Sequence, residues 1–594
     1  MKMSLSPRIS KFLPTSQKEV VAKGWDYLDV ILFSGDAYVD HPSFGAAVIG
    51  RVLEAQGYRV AIVPQPNWRD DLRDFKKLGA PRLFFGVTSG CMDSMVNHYT
   101  ANKRLRSNDA YTPDERNDMR PDYACYEYAK IVKQLFPEIP VVIGGIEASL
   151  RRLTHYDYWQ DKLRPGILCE TNADMLVYGM GEKSIVEIAK RLAAGDKIGE
   201  LTNIPQTVYL RKGTLPAGGS TRSAEVLTNG IGHIMLHSFE ECVKSKEKFA
   251  ENFVKVEEES NKIQAQVLCE HVGQNTVMVN PPYPPMSEAE VDGSFDLPYT
   301  RMPHPRYKDK RIAAYEMVRH SVNIHRGCFG GCSFCTISMH QGKHVASRSE
   351  KSILQEVKRT AQMPDFKGYL SDVGGPSANM YKMQGKDAGV CRLCKRYSCV
   401  YPRICKNLNN DVKPLMTLLQ KVRGVEGIKK AFVGSGIRYD MLLNEQGFLN
   451  KESEKYFSDM LRHHISGRLK VAPEHTSDKV LVAMRKPSYK LFEKLKGLFD
   501  AQNRKENLRL QLIPYFISSH PGCTAEDMRQ LLQVTKKQGF KLEQVQDFTP
   551  TPMTLSAVMY YTSINPYTKE KIFVARTREQ KQQQNSYFFW YKKS

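Results

Sequence analysis

Cys328-Phe-Gly-Gly-Cys332-Ser-Phe-Cys335 places three thiols within eight residues, separated by three and then two residues. Thiolates are soft ligands suited to iron–sulfur clusters or zinc. Gly330 and Gly331 let the loop fold back without Cβ clashes, so that all three sulfurs can face one cubane. A zinc site would ask for a fourth protein ligand and paired CxxC knuckles. Three local cysteines leave one metal open, as a catalytic cluster needs. A zinc knuckle, a redox dithiol and three buried cysteines are the competing readings, and the spacing favours the cluster. A second group, Cys391-x2-Cys394-x4-Cys399-x5-Cys405, supplies four thiols in fifteen residues. It could close a tetrahedral zinc site or hold an auxiliary iron–sulfur cluster. Arg392, Lys395, Arg396, Arg403 and Lys406 flank it and favour thiolate over thiol. A structural staple is the favoured role for this second group.

These residues need elements to hold them. From Ser321 the chain alternates strand and helix patterns. Strands are expected at 321–325, 368–371, 430–433, 468–472, 508–517 and 543–548, with helices at 350–362, 412–422, 451–464, 489–501 and 524–538. Ser347-Arg-Ser-Glu350 has the pattern of a capping box. Both the first cysteine loop and Asp372-Val-Gly-Gly-Pro376 follow strand ends, where α/β folds bind ligands. The first third alternates in the same way, with strands expected at 29–33, 58–63, 82–87, 140–143 and 174–178. Helices are expected there at 45–56, 68–77, 123–136 and 182–194, giving a parallel sheet covered on both faces. Residues 201–310 read as a helical segment, charged near Glu240–Lys262, and a Pro-rich linker from Pro281 to Pro305. The tail from 581 to 594 reads as polar.

The chain has 594 residues, 86 Lys plus Arg and 64 Asp plus Glu, for a formal charge of +22. That balance is compatible with a polyanion such as RNA, although a solvated basic surface is the simpler reading. No apolar run reaches the roughly 20 residues of a membrane helix, and residues 1–24 lack the apolar core of a signal peptide. A cytoplasmic location without a membrane partner is therefore expected. Thirteen cysteines in a reduced compartment then read as ligands, catalysts or small core residues. There is no Walker A loop and no GxGxxG fingerprint.

The CxxxCxxC loop after the first strand of a βα series resembles the radical S-adenosylmethionine (SAM) superfamily. The resemblance implies an N-terminal Rossmann-like doubly wound domain (1–200) and a partial (β/α)6 barrel (311–580) with a Cys-rich insertion at 376–410. It implies a [4Fe-4S] cluster on Cys328, Cys332 and Cys335. The open iron would bind SAM, and one electron would split it into methionine and a 5′-deoxyadenosyl radical. A one-electron reductant such as flavodoxin or ferredoxin is then a partner. By the same resemblance Phe334 offers backbone to the adenine, and Gly374-Gly375-Pro376 stands where a Gly-Gly-Glu turn meets the methionine amino group. Pro376 replaces the Glu, leaving backbone oxygens for that contact. Glu474, in Val-Ala-Pro-Glu474-His, stands at the ribose position, and Ser518–Thr524 looks like a His-Pro-Gly-x-Thr turn of related enzymes. Gly144-Gly-Ile-Glu-Ala-Ser-Leu-Arg-Arg152, His325-Arg-Gly-Cys and Cys399-Val-Tyr-Pro-x-Ile-Cys405 extend the likeness to the YgiQ family over most of the chain. Radical enzymes with such an N-terminal domain often bind cobalamin. Asp40-His41-Pro-Ser-Phe-Gly45 has the wrong spacing for the Asp-x-His-x-x-Gly corrinoid motif, so His41 reads as a turn residue and cobalamin stays open. Gly179-Met-Gly-Glu182 reads as an anion-accepting helix start or a plain turn. The competing functions are a cobalamin-dependent methylase, an RNA-modifying enzyme and a non-catalytic metal module that docks on nucleic acid.

Overall fold

The computed structural model describes residues 9–213 and 232–591. Two compact units divide the chain. The first takes Met1–Ser260, Gln264–Pro284 and Gly293–Arg319; the second takes Asn261–Ile263, Pro285–Asp292 and His320–Ser594.

The first unit is built on short apolar runs that become strands: β1 (Val30–Ser34), β2 (Val60–Pro64), β3 (Phe84–Thr88), β4 (Val141–Gly144) and β5 (Met175–Val177). They pair in parallel in the spatial order 2-1-3-4-5, with Val30 level with both Val60 and Phe84. Nearly every side chain in these strands is buried, as a sheet covered on both faces requires. Helices Gly45–Ala55, Ala124–Leu135 and Glu182–Ala193 supply the cover. The order is that of a doubly wound fold whose topological switch lies between β1 and β3. There Asp36 pairs with Arg120 at 3.0 Å, Arg120 also holds Asp109 at 2.9 Å, and Cys91 N donates to Asp36 Oδ2 at 2.7 Å.

Residues 201–310, read from sequence as helix and linker, contain helices Phe239–Lys244 and Lys246–Ser260 but also strands. β6 (Thr207–Lys212), β7 (His233–Met235), β8 (Val267–Val272) and β9 (Asn275–Val279) extend the same sheet. β9 pairs antiparallel with β6, which runs antiparallel to β5. The helix expected over 68–77 forms only at Arg73–Lys76, because Asn67, Asp70 and Asp71 use their side chains on nearby backbone amides.

The second unit carries six strand positions in chain order. β10 (Ser321–Asn323) pairs in parallel with β12 (Asp372–Gly374), and β11 (Tyr369–Leu370) with β13 (Lys430–Ala431). Val433 N then bonds His464 O at 2.8 Å, and β14 (Arg468–Glu474), β15 (Gln511–Ser518) and β16 (Gln544–Asp547) pair in parallel. This is the expected partial (β/α)6 barrel. Its helices face the core with helical spacing, as in Leu415, Leu418, Leu419 and Val422 of Lys413–Arg423. The capping box expected at Ser347–Glu350 is absent. Ser349 caps Glu350–Ala361 by accepting from Ser352 N at 3.0 Å, while Ser347 lies in a short ladder opposite His325. Arg578–Ser586 and Tyr587–Phe589 are helical rather than a free polar tail. Among the described residues, no helix is long and apolar enough to cross a membrane.

Candidate active site

The first cysteine loop leaves β10 through Ile324, whose N donates to Gly374 O at 2.8 Å. Cys328 N bonds Gly342 O at 3.1 Å and Cys335 N bonds Cys332 O at 3.2 Å, so the loop turns back on itself. Gly331 sits at φ +64°, and a Cβ there would stand 2.2 Å from Tyr397 O. Only glycine meets both conditions. The three thiols lie within electrostatic reach of one another. Burial raises the Cys328 thiol, and burial with its two neighbours pushes Cys335 up to about 12. The opposing charge is Arg438. Its Nη1 lies 3.4 Å from Cys332 Sγ, its other nitrogens hold Asp440, and it lowers Cys328. Asn379 fixes this arginine by accepting from Arg438 N at 2.8 Å and donating to Arg438 O at 2.9 Å. Arg438 follows the third strand position, and sequence reasoning missed it.

Gly374-Gly375-Pro376 adjoins this loop. A Cβ on Gly375 would stand 2.5 Å from the His325 ring, and Ser377 Oγ lies 3.8 Å from Cys328 Sγ. His325 is buried, and neither ring nitrogen has a hydrogen-bond partner among the described residues. Burial lowers it to about 4, so the ring is neutral. Glu474 ends β14 at φ +69°, where the ladder with β15 is irregular. Its carboxylate is buried, lies 3.6 Å from Lys486 Nζ and acts electrostatically on Cys335. Burial raises its pKa and Lys486 opposes the rise. Phe334 meets the His520 ring edge-on with centroids 6.1 Å apart. Burial lowers His520 to about 3, and its Nδ1 stands 2.8 Å from Pro521 O, which can only accept. Nε2 is therefore the acceptor toward Ser556 Oγ at 2.7 Å, and Ser556 reaches Ser333 Oγ at 2.9 Å inside the cysteine loop. The fold thus brings Cys328, Cys332, Cys335, Phe334, the Gly-Gly-Pro turn and Glu474 to one end of the second unit.

The second thiol group is stitched to the first loop. Cys399 N donates to Phe329 O at 3.0 Å, and Ser398 Oγ donates to Gly330 O at 2.8 Å. Cys405 N returns to Cys399 O at 2.8 Å and Cys394 N to Cys391 O at 3.2 Å. Burial pushes Cys399 up to about 11, against the pull of Lys343, and the other three thiols add to the rise. Asn407 Nδ2 donates to Cys391 Sγ at 3.2 Å. All thirteen cysteines are free. Among the described residues no three His, Cys, Asp or Glu side chains close about a single point. Donors on a cubane bind separate irons and must ring a volume instead, and the spacing and thiol chemistry of the first loop fit that demand.

Elsewhere, Asp40 is held by Arg51 at 2.6 Å, and His41 Nδ1 accepts from Ser43 N at 3.1 Å, which makes the segment a turn. Gly179 N donates to Ser149 Oγ at 3.0 Å.

The family description Radical SAM N-terminal matches residues 12–321, and a domain of unknown function, DUF3362, matches 543–594. A UPF0313 protein of Porphyromonas gingivalis is 60% identical over 98% of this chain and 91% of its own length. UPF0313 protein YgiQ of Escherichia coli is 43% identical over 96% of this chain and 82% of its own length. Among solved structures, the radical SAM methyltransferase TsrM from Kitasatospora setae aligns at TM-score 0.46 and 14% identity, over 89% of this chain and 75% of its own. The cobalamin-dependent SAM radical enzyme OxsB aligns at TM-score 0.46 and 10% identity, over 92% of this chain and 56% of its own.

Proposed function

The chain belongs to the UPF0313 family of radical SAM enzymes, and on that premise we propose that it cleaves SAM reductively at the Cys328–Cys332–Cys335 loop. The observation that carries the reading is the grouping of these three thiols beside a buried guanidinium at a strand end. A [4Fe-4S] cluster held there would pass one electron to the SAM sulfonium, giving methionine and a 5′-deoxyadenosyl radical that takes hydrogen from substrate. The chain's own residues do the rest. Arg438 offsets the charge of the thiolates, with Asp440 and Asn379 holding it in place. The Gly374–Pro376 turn offers backbone oxygens to the methionine ammonium, and His325 offers a free donor and a free acceptor beside Gly375. Phe334 presents backbone to the adenine, its ring position set by His520. Glu474 accepts from the ribose hydroxyls, adding partners to a buried carboxylate that already faces Lys486. A low-potential one-electron donor of the flavodoxin or ferredoxin kind supplies the electron. The reading needs no cobalamin.

Anaerobic reconstitution with iron and sulfide tests it. Cys328→Ala should lose the SAM-binding cluster of this loop and 5′-deoxyadenosine formation after reduction. Full retention of both would remove Cys328 as a ligand. A polyanionic substrate such as RNA is the second reading, favoured by the +22 charge.

A further inference from the structure

We propose that Cys391, Cys394, Cys399 and Cys405 hold an auxiliary iron–sulfur cluster, with the buried Lys343 ammonium as its counter-charge. Four thiols on one fifteen-residue loop, none in a disulfide, are gathered within electrostatic reach of one another. Their loop is not loosely attached. Ser398 and Cys399 bond the backbone of Phe329 and Gly330, between the first two cysteines of the SAM-cleaving loop.

Lys343 supplies the second observation. It is 2% exposed, its Nζ donates to Arg396 O at 2.8 Å, and Cys394 Sγ lies 4.0 Å away. No carboxylate pairs with it among the described residues, and a buried cation held only by a carbonyl oxygen and a thiol lacks a counter-charge, which is costly. A tetrathiolate cluster is net negative and provides the missing partner. Asn407, donating to Cys391 Sγ, is the kind of N–H···S contact that tunes a cluster's potential. Zinc would favour two CxxC knuckles around one point. Here only Cys391 and Cys394 form such a knuckle, while Cys399 and Cys405 sit on the stretch fastened to the first loop. A redox-active occupant would therefore share backbone with the SAM-cleaving site.

The test uses the full chain, loaded anaerobically with ferrous iron and sulfide. The Cys328→Ala, Cys332→Ala, Cys335→Ala triple variant leaves the proposed site intact. It should keep about half of the wild-type iron and acid-labile sulfide and an electron paramagnetic resonance signal, after reduction, that SAM does not perturb. The fourfold Cys→Ala variant of the second group should keep only the SAM-perturbed signal. In the triple variant, Lys343→Gln should move the remaining cluster's reduction potential more negative, with Lys343→Arg restoring it. Loss of all iron from the triple variant would overturn the proposal, as would one zinc per chain resisting replacement by iron. A triple variant that kept the SAM-perturbed signal would instead sink the reading of the first loop and leave this one standing. The decisive variant does not alter the second group, so misfolding of the fourfold variant does not blunt the result.

Discussion

Arg438 lies 106 positions from Cys332 in sequence, yet its guanidinium stands against that sulfur. A buried guanidinium meets the thiols here, and that cation is held by Asp440. Arg438→Met should shift the cluster's reduction potential downward, read by a potentiometric titration of the reduced signal. It should also cost about 3–5 kcal/mol of stability, because Asp440 is left buried without its partner. Adding Asp440→Asn should return much of that loss in urea unfolding, and equal unfolding midpoints for wild type and Arg438→Met would refute the account. His325 presents the opposite case, a polar ring whose nitrogens bond nothing in the chain. A buried polar group left unpaired costs about 1–3 kcal/mol. His325→Phe should therefore leave the melting temperature unchanged or raise it, while weakening SAM binding by about tenfold in titration of the loaded protein. Unchanged SAM affinity would reduce the ring to packing. The triad and Glu474 stand out in the sequence because their neighbours in the chain are the motif. Arg438 and Asn379 do not, since each acquires meaning only from a contact across the barrel, and His325 stands in a sequence motif that gives no sign of its unpartnered ring.

Elements differ in how openly their sequences declare them. Val30–Ser34 and Val60–Pro64 are apolar throughout and read as buried strands at once. Arg578–Ser586 is Arg-Glu-Gln-Lys-Gln-Gln-Gln-Asn-Ser, with no apolar period, and read as tail. What fixes it is polar: Gln584 donates to Cys523 O at 2.8 Å and accepts from Ser519 N at 2.8 Å, and Phe588 is buried just beyond. The strands within 201–310 were hidden for a related reason. β8 reads Val-Leu-Cys-Glu-His-Val, and its Glu270 breaks the apolar pattern although it is buried. Burial raises that carboxyl to about 7 from its ordinary 4.5, with Thr154 N donating to it at 2.9 Å. A raised pKa means the fold prefers the protonated acid. The native state binds the extra proton between about 4.5 and about 7, so stability is fullest below that window and falls as pH rises through it. The loss amounts to about 3 kcal/mol, at about 1.4 kcal/mol per tenfold step in proton affinity. Glu270→Gln cannot ionise and keeps the acceptor. Its melting temperature should match wild type near pH 4 and exceed it increasingly toward pH 8. A difference that ignores pH would acquit Glu270.

At the scale of the whole molecule the informative quantity is charge. None of the +22 excess is carried by the buried ion pairs of Arg51, Arg120, Arg151 and Arg438 with Asp40, Asp36, Asp93 and Asp440. Each such pair is neutral, so removing it from the count leaves the excess untouched and places it on other residues. Arg392, Lys395, Arg396 and Lys406 are among the exposed bases, all on the second thiol loop. If this loop and its neighbours meet a phosphate backbone, binding releases condensed counterions, and the logarithm of the affinity must fall linearly with the logarithm of salt concentration. Six to ten phosphate contacts would cost about a thousandfold or more between 50 and 200 mM salt. A filter-binding titration of the loaded enzyme with transfer RNA should give such a slope. Changing Arg392, Lys395, Arg396 and Lys406 together to Gln should make it shallower by up to about four contacts' worth. These four lie outside the thiol ligands, so iron content serves as the control for intact loading. A flat salt response, or no retention of RNA at low salt, would leave the basic surface as solvated charge and send the search for substrate to uncharged or cationic molecules.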